Sequence, residues 1–441
     1  MSESVVPSGA QVNHRLIELR RFHSPFCNHW RTLKLVKRLL PYFVMFAGLT
    51  WHSRAAEFKF QHHFVDRDLP ASERGVGDYG LTALVDLDRD GDLDFVLGGR
   101  PVQPSRLYWF EFQSVDRWVR HEVGTNYLSD VGLAALDVDQ DGWTDLVCSG
   151  VWYRNTGHPR EQAFERQVFD DNAAGAHDIL VADIDGDGKP DVVAMGDERT
   201  KLNALCWYSI PSDPKRPWLR HHVGPPVHGA ITPRGVADLD GDGDLDLIRA
   251  DTWFENKDGK GREWIAHHNI PMGRRGPFGI CVRTAVADLD HDGKLEVVIA
   301  DADITDCKIV VLKNVDGKGG SWSKTELPRG FVYGSLHALA VADFNGDGRP
   351  DIVANEQEEL LPSGRENPRW ILWENLGANQ FAEHVILDTK LGGHELQVGD
   401  VDGDGDIDIV SKAWGPRPWN GNGGKMHVDF LENLFRQRRS R

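Results

Sequence analysis

Cysteine is sparse in this chain of 441 residues: five in all, with no CxxC pair and no Cys/His spacing of the metal-binding kind. One of them, Cys27, falls near the N-terminus. The other four, Cys148, Cys206, Cys281 and Cys307, allow three full pairings that spacing cannot separate. They read as small buried hydrophobes. Long apolar runs are missing too. The run Leu39–Trp51 (LLPYFVMFAGLTW) has thirteen residues, where a membrane helix needs about 20. Positive charge is scarce outside the first 55 residues, which carry 8 of the 50 basic and 2 of the 68 acidic side chains. The rest holds 42 basic against 66 acidic residues, a balance of −24. Such a surface repels phosphate, which argues against a nucleic-acid partner. No long helical period appears either.

What is present begins with a targeting pattern. Arg31, Lys34, Lys37 and Arg38 precede the apolar run, and Ser53-Arg54-Ala55 places small residues at the −3 and −1 positions of a cleavage site. Residues 1–55 are therefore expected to be a leader with a signal peptide, giving a secreted, periplasmic or extracellular protein with no membrane span after cleavage. Beyond it, 46 glycines and 22 prolines point to many turns.

One acidic segment recurs seven times: DLDRDGDLD (86–94), DVDQDGWTD (137–145), DIDGDGKPD (183–191), DLDGDGDLD (238–246), DLDHDGKLE (288–296), DFNGDGRPD (343–351) and DVDGDGDID (400–408). Their starts are 51, 46, 55, 50, 55 and 57 residues apart, the length of one four-stranded propeller blade. Short apolar runs flank each copy, followed by an aromatic run and a segment such as WLRHHV or WIAHHN. The last repeat stops after its third strand, while FKFQHHFVD (58–66) resembles a fourth. The expectation is all-β: a seven-bladed β-propeller over residues 56–441, closed by the N-terminal strand, with no exposed sheet edge.

These repeats resemble the FG-GAP/VCBS repeat family, the propeller repeats also seen in integrin α-subunit heads, over about residues 57–435. Similar propellers serve as catalytic domains of some polysaccharide lyases and of a fungal sugar dehydratase, but no motif here carries their active-site residues across. The loop chemistry can be argued directly. Carboxylates at positions one, three, five and nine around a glycine at six offer hard oxygens to calcium, which accepts about 6–8 of them. The expected ligands are Asp86, Asp88, Asp90 and Asp94; Asp137, Asp139, Asp141 and Asp145; Asp183, Asp185, Asp187 and Asp191; Asp238, Asp240, Asp242 and Asp246. They continue with Asp288, Asp290, Asp292 and Glu296; Asp343, Asn345, Asp347 and Asp351; and Asp400, Asp402, Asp404 and Asp408. Up to seven structural calcium ions follow. The other reading is a carboxylate-rich turn held by backbone hydrogen bonds alone.

The resemblance implies that these loops lie on one face of the disc, so residues six positions earlier sit at the opposite mouth of the channel. Three of the seven are histidine: His177, His337 and His394, beside Asp178, Arg283 and Glu395. Residues just after the second strand, Arg249, Glu356 and Lys412 among them, are expected on the same face, with Trp414 on the irregular stretch 411–424. Two readings follow. In one, the mouth acts on carbohydrate as a lyase or dehydratase would, with His177, His337, His394, Arg249, Glu356 and Lys412 catalytic and an additional divalent metal there. In the other, a monomeric, non-catalytic propeller displays its loops to a glycan or an extracellular protein, the histidines serving to fix strand entry.

Overall fold

The computed structural model describes residues 57–70, 79–100, 105–415 and 417–436; the expected leader and cleavage site lie outside them. The described residues form β-sheets without an α-helix, and none of their helices is long and apolar enough to cross a membrane.

Seven sheets of four or five strands make a seven-bladed propeller. Blade 1 runs outward from Tyr79–Val85 through Asp94–Gly99 and Arg106–Ser114 to Arg117–Thr125. Second strands are buried on both faces and, after an opening carboxylate, read as apolar runs, as in Asp191–Met195. Outer strands are half exposed and mix polar with apolar residues, as in Leu219–Gly224. Adjacent blades pack face to face through clusters such as Leu81, Trp109, Leu133, Leu146 and Tyr153. Outer-strand histidines pack within their own blades. His121, His221 and His267 lie flat on Trp109, Trp207 and Trp253, with ring centroids 4.5, 3.9 and 4.2 Å apart.

The seventh sheet takes strands from both ends of the propeller: Phe60–Asp66 pairs antiparallel with Val428–Asn433, outside Asp408–Lys412 and Glu395–Gly399. His62 reaches Asp429 at 2.8 Å, and His63 reaches Glu432 at 3.1 Å.

Every acidic loop joins the innermost strand of a blade to the second. The glycine at its sixth position has a φ between +81° and +103°, the left-handed turn that a side chain would oppose. The ninth residue opens the second strand and is buried. One of its oxygens accepts the N–H of the second loop residue, at 2.9–3.2 Å in all seven blades. In five blades an asparagine at or next to the end of the third strand donates its side-chain amide to the second-residue carbonyl of the preceding blade's loop, at 2.7–2.9 Å. The loops are thereby tied both within and between blades.

Candidate functional site

Two sets of polar residues lie at opposite ends of the inner strands. At the loop end, Asp86, Asp88 and Asp90 bring one carboxylate oxygen each to within 4.8 Å of one another, as do Asp137, Asp139 and Asp141. Asp288 Oδ1 and Asp400 Oδ1 are buried without a hydrogen-bond partner. The ninth residues differ from this trio, because at least one oxygen of each already accepts a backbone N–H. Burial, reinforced by the neighbouring carboxylates, pushes Asp94 and Asp408 up to about 8, and Asp145, Asp191, Asp246, Glu296 and Asp351 up to about 7.

At the other end the structure brings His177, His337 and His394 together. Each immediately precedes an inner strand, and all three are buried. His337 stacks on His394 at 3.8 Å between centroids, and His394 stacks on Trp414 at 4.1 Å. They line a cavity of about 500 Å³ with Arg100, Asp130, Asp197, Arg199, His228, Phe278 and Asp303. Beneath it, Arg283 donates to Glu395 at 2.7 Å and approaches Asp178 at 3.7 Å, linking three blades across the channel.

Lys412 is fully buried, its ammonium donating to the Tyr79 carbonyl at 2.5 Å and lying 3.1 Å from His394 Nδ1. Burial pulls Lys412 down to about 7, and burial followed by the charges of His337 and Lys412 holds His394 well below the imidazole range. His177 goes the other way. Burial works against its charged form, but the bond to Asp178 outweighs burial and raises it.

Two other expected residues sit elsewhere. Arg249 donates to the Pro225 carbonyl at 2.7 Å and lines an adjoining cavity of about 380 Å³. Glu356 is buried, accepting the N–H groups of Gly334 and Arg369 and pairing with Arg365, so it braces loops and does not face the histidines. The sequence expected both at the mouth because each follows a second strand. That register fixes where the backbone is and leaves open where the side chain turns. Trp414, which also lines the cavity, stacks on His394 and has the Arg100 guanidinium 4.6 Å from its ring.

The exposed aromatic is one the sequence did not single out. Phe278 is 48% exposed. It stands in the two-residue turn between Arg275–Gly276 and Gly279–Ile280, and it lines both cavities with Asp197, Arg199 and His228. His228, Cys281 and Asp303 were missed as well. All four described cysteines are free and buried, but Cys281 alone faces histidines, with Sγ 3.6 Å from His337 Nε2.

The strand pairing and the loops define a repeat propeller. Residues 86–148, 238–299, 288–354 and 357–411 match the FG-GAP-like repeat family, together more than half of the chain, and the chain belongs to that family. No curated protein sequence matches it. Among solved structures, the V. cholerae biofilm matrix protein Bap1 is similar at 12% identity and TM-score 0.45, over 85% of this chain and 91% of that one. A structure of NanB with Optactamide aligns at 11% and 0.42, over 84% of this chain and 71% of its own. The Bacillus licheniformis rhamnogalacturonan lyase PL11 aligns at 13% and 0.37, over 85% and 75%. At these identities and TM-scores the likenesses carry nothing about ligand or activity.

Proposed function

We propose that this chain is an exported propeller that binds an acidic carbohydrate chain across the channel mouth, while calcium in the loops of the opposite face holds the blades. The observation that carries the carbohydrate reading is Phe278 at its hairpin tip, exposed and lining two adjoining cavities. An exposed ring with space on both sides suits a sugar lying across it, with further residues of the chain in each cavity. Arg199, 57% exposed on its side chain, and exposed Arg275 flank that ring and can pair with uronate carboxylates. Two cavities that share Asp197, Arg199, His228 and Phe278 in their walls favour a polymer over a compact ligand.

The calcium reading is supported by the donor chemistry: converging hard oxygens, and buried carboxylate oxygens at Asp288 and Asp400 that no protein group satisfies. The first, third and fifth residues of each loop would hold the ion. Bound there, calcium offsets the mutual repulsion of these carboxylates. Export, inferred from the leader pattern, would place the protein where calcium is plentiful.

One observation favours a catalytic version. Lys412, poised near neutrality, touches His394, and a proton acceptor beside a carboxylate-bearing sugar is what elimination requires. The test is a titration with polygalacturonate and with a neutral glucan, read by calorimetry and by ultraviolet absorption of unsaturated uronates. Binding to the polyuronate, weakened at least about tenfold in Phe278→Ala, is expected. New ultraviolet-absorbing product, lost in Lys412→Met, marks a lyase; binding without product marks a binding module. No binding to either polymer overturns the carbohydrate reading and turns attention to a protein ligand.

A further inference from the structure

We propose that the floor of the channel-mouth cavity binds a zinc-class divalent ion, ligated by Cys281, Asp303, His228 and His337, with His177 as an adjoining donor. His228 Nε2 and His337 Nε2 lie 3.6 and 3.9 Å from the same oxygen, Asp303 Oδ2. Cys281 Sγ is 3.6 Å from His337 Nε2. It also belongs to a second trio with His177 and His228, whose donor atoms all fall within 4.8 Å of one another. Ligands about 2.0–2.3 Å from a tetrahedral zinc stand roughly 3.3–3.8 Å apart, close to this spacing.

Two features point to a ligand and not to packing alone. Each imidazole is held from behind at Nδ1: His177 by Asp178 at 2.8 Å, His228 by Asp197 at 2.7 Å, His337 by the His394 carbonyl at 3.2 Å. With Nδ1 so engaged, the Nε2 lone pair is left for the centre of the cluster, the arrangement in which histidines meet metals. Space at that centre is also kept open. A Cβ on Gly229 would come 2.5 Å from His177 Cε1 and 3.3 Å from Cys281 Sγ. Asp303, aimed into the cluster, holds a left-handed φ of +55°, uncommon for a residue with a side chain.

A thiolate with imidazoles and one carboxylate selects zinc-like ions over calcium, so the two ends of the channel would take different metals. Four protein donors complete a tetrahedral shell, so the ion on the cavity floor fixes the geometry of the side chains above it. The inference concerns that floor and stands whether or not a sugar fills the cavity.

The test is a titration of the chelator-stripped full chain with Co²⁺ in saturating calcium, followed by Zn²⁺. One cobalt per chain is expected, with sulfur-to-cobalt charge-transfer absorption in the near ultraviolet and the visible bands of tetrahedral cobalt. Zinc should erase both. Cys281→Ser should lose the sulfur band. Asp197→Asn, which alters the group behind His228 and also the partner of Arg199, should weaken zinc binding by about 10–100-fold, with folding checked by circular dichroism. Absence of a sulfur band in the wild-type protein overturns the site. So does an undiminished band in Cys281→Ser, or zinc binding by Asp197→Asn as tight as the wild type's.

Discussion

The side-chain amide of Asn256 donates to the Ile184 carbonyl, one blade back, at 2.9 Å, while its own N–H donates to Asp246 Oδ1 at 2.9 Å. One residue thus joins its blade's loop to the loop before it. Both partners are buried, and a buried carbonyl left without a donor costs about 1–3 kcal/mol. Asn256→Ala should lower unfolding free energy by that amount in urea titrations. A change below about 0.5 kcal/mol would show that the ring of asparagines does not tie the blades.

Calcium removal should lower the melting temperature, and calcium should restore it, because an ion that binds only the native state stabilises it by about 2.7 kcal/mol at a hundredfold excess over Kd. The seven loops should not fill alike. Arg160 bridges Asp88 and Asp90, Arg154 bridges Asp139 and Asp141, and Lys313 bridges Asp290 and Asp292. Those three loops carry an internal cation across their third and fifth positions. The loops at 183–191, 238–246, 343–351 and 400–408 should therefore fill first. Asp240→Ala should remove about one ion, measured by elemental analysis against chain concentration. Calcium-free protein that is indifferent to chelator refutes the reading.

Alkaline stability should reveal two buried cations working in opposite directions. His427 lies between Asp429 at 2.6 Å and Glu358 at 2.9 Å. Burial alone would lower it, but Asp429 and then Glu358 outweigh burial and raise it to about 10. Its stabilisation is complete below the unfolded value near 6.5 and is lost as pH rises through about 10. Lys412, lowered to about 7, has the opposite sign, since the unfolded chain keeps that proton up to about 10.5. Between pH 7 and 10, then, His427→Gln should gain stability relative to wild type and Lys412→Met should lose it, each by up to about 4 kcal/mol. Parallel pH profiles for the three proteins would contradict both assignments.

The propeller was legible because its information is repeated. Seven acidic loops at blade spacing, apolar runs on both sides and a fourth-strand segment at residues 58–66 each point to the same architecture. The asparagines were visible in VWYRN, TWFEN and ILWEN, yet their link to the preceding blade is a tertiary fact. The site was only half legible, for a related reason. His177, His337 and His394 share a register, so their convergence could be expected. His228 comes from the connection leaving blade 3, and Asp303 follows the strand Glu296–Asp301, outside any repeated position. Cys281 falls one residue ahead of Val282–Ala287 and differs in no local way from the packed cysteines. Arg249 and Glu356 kept the expected backbone positions but turned to other partners.

The bond between His62 and Asp429 spans 367 positions of sequence. On a ribosome, Phe60–Asp66 emerges long before its partner Val428–Asn433. Throughout that interval the early strand has its backbone donors and acceptors unclaimed, and so do the growing blades' edges. Residues 60–66 must then stay available while six other sheets assemble. The seventh sheet can be completed only after the six other sheets have been made, so a chain truncated before Val428 would leave the early strand without its partner. The geometry thus makes the seventh blade a checkpoint on completion of the propeller.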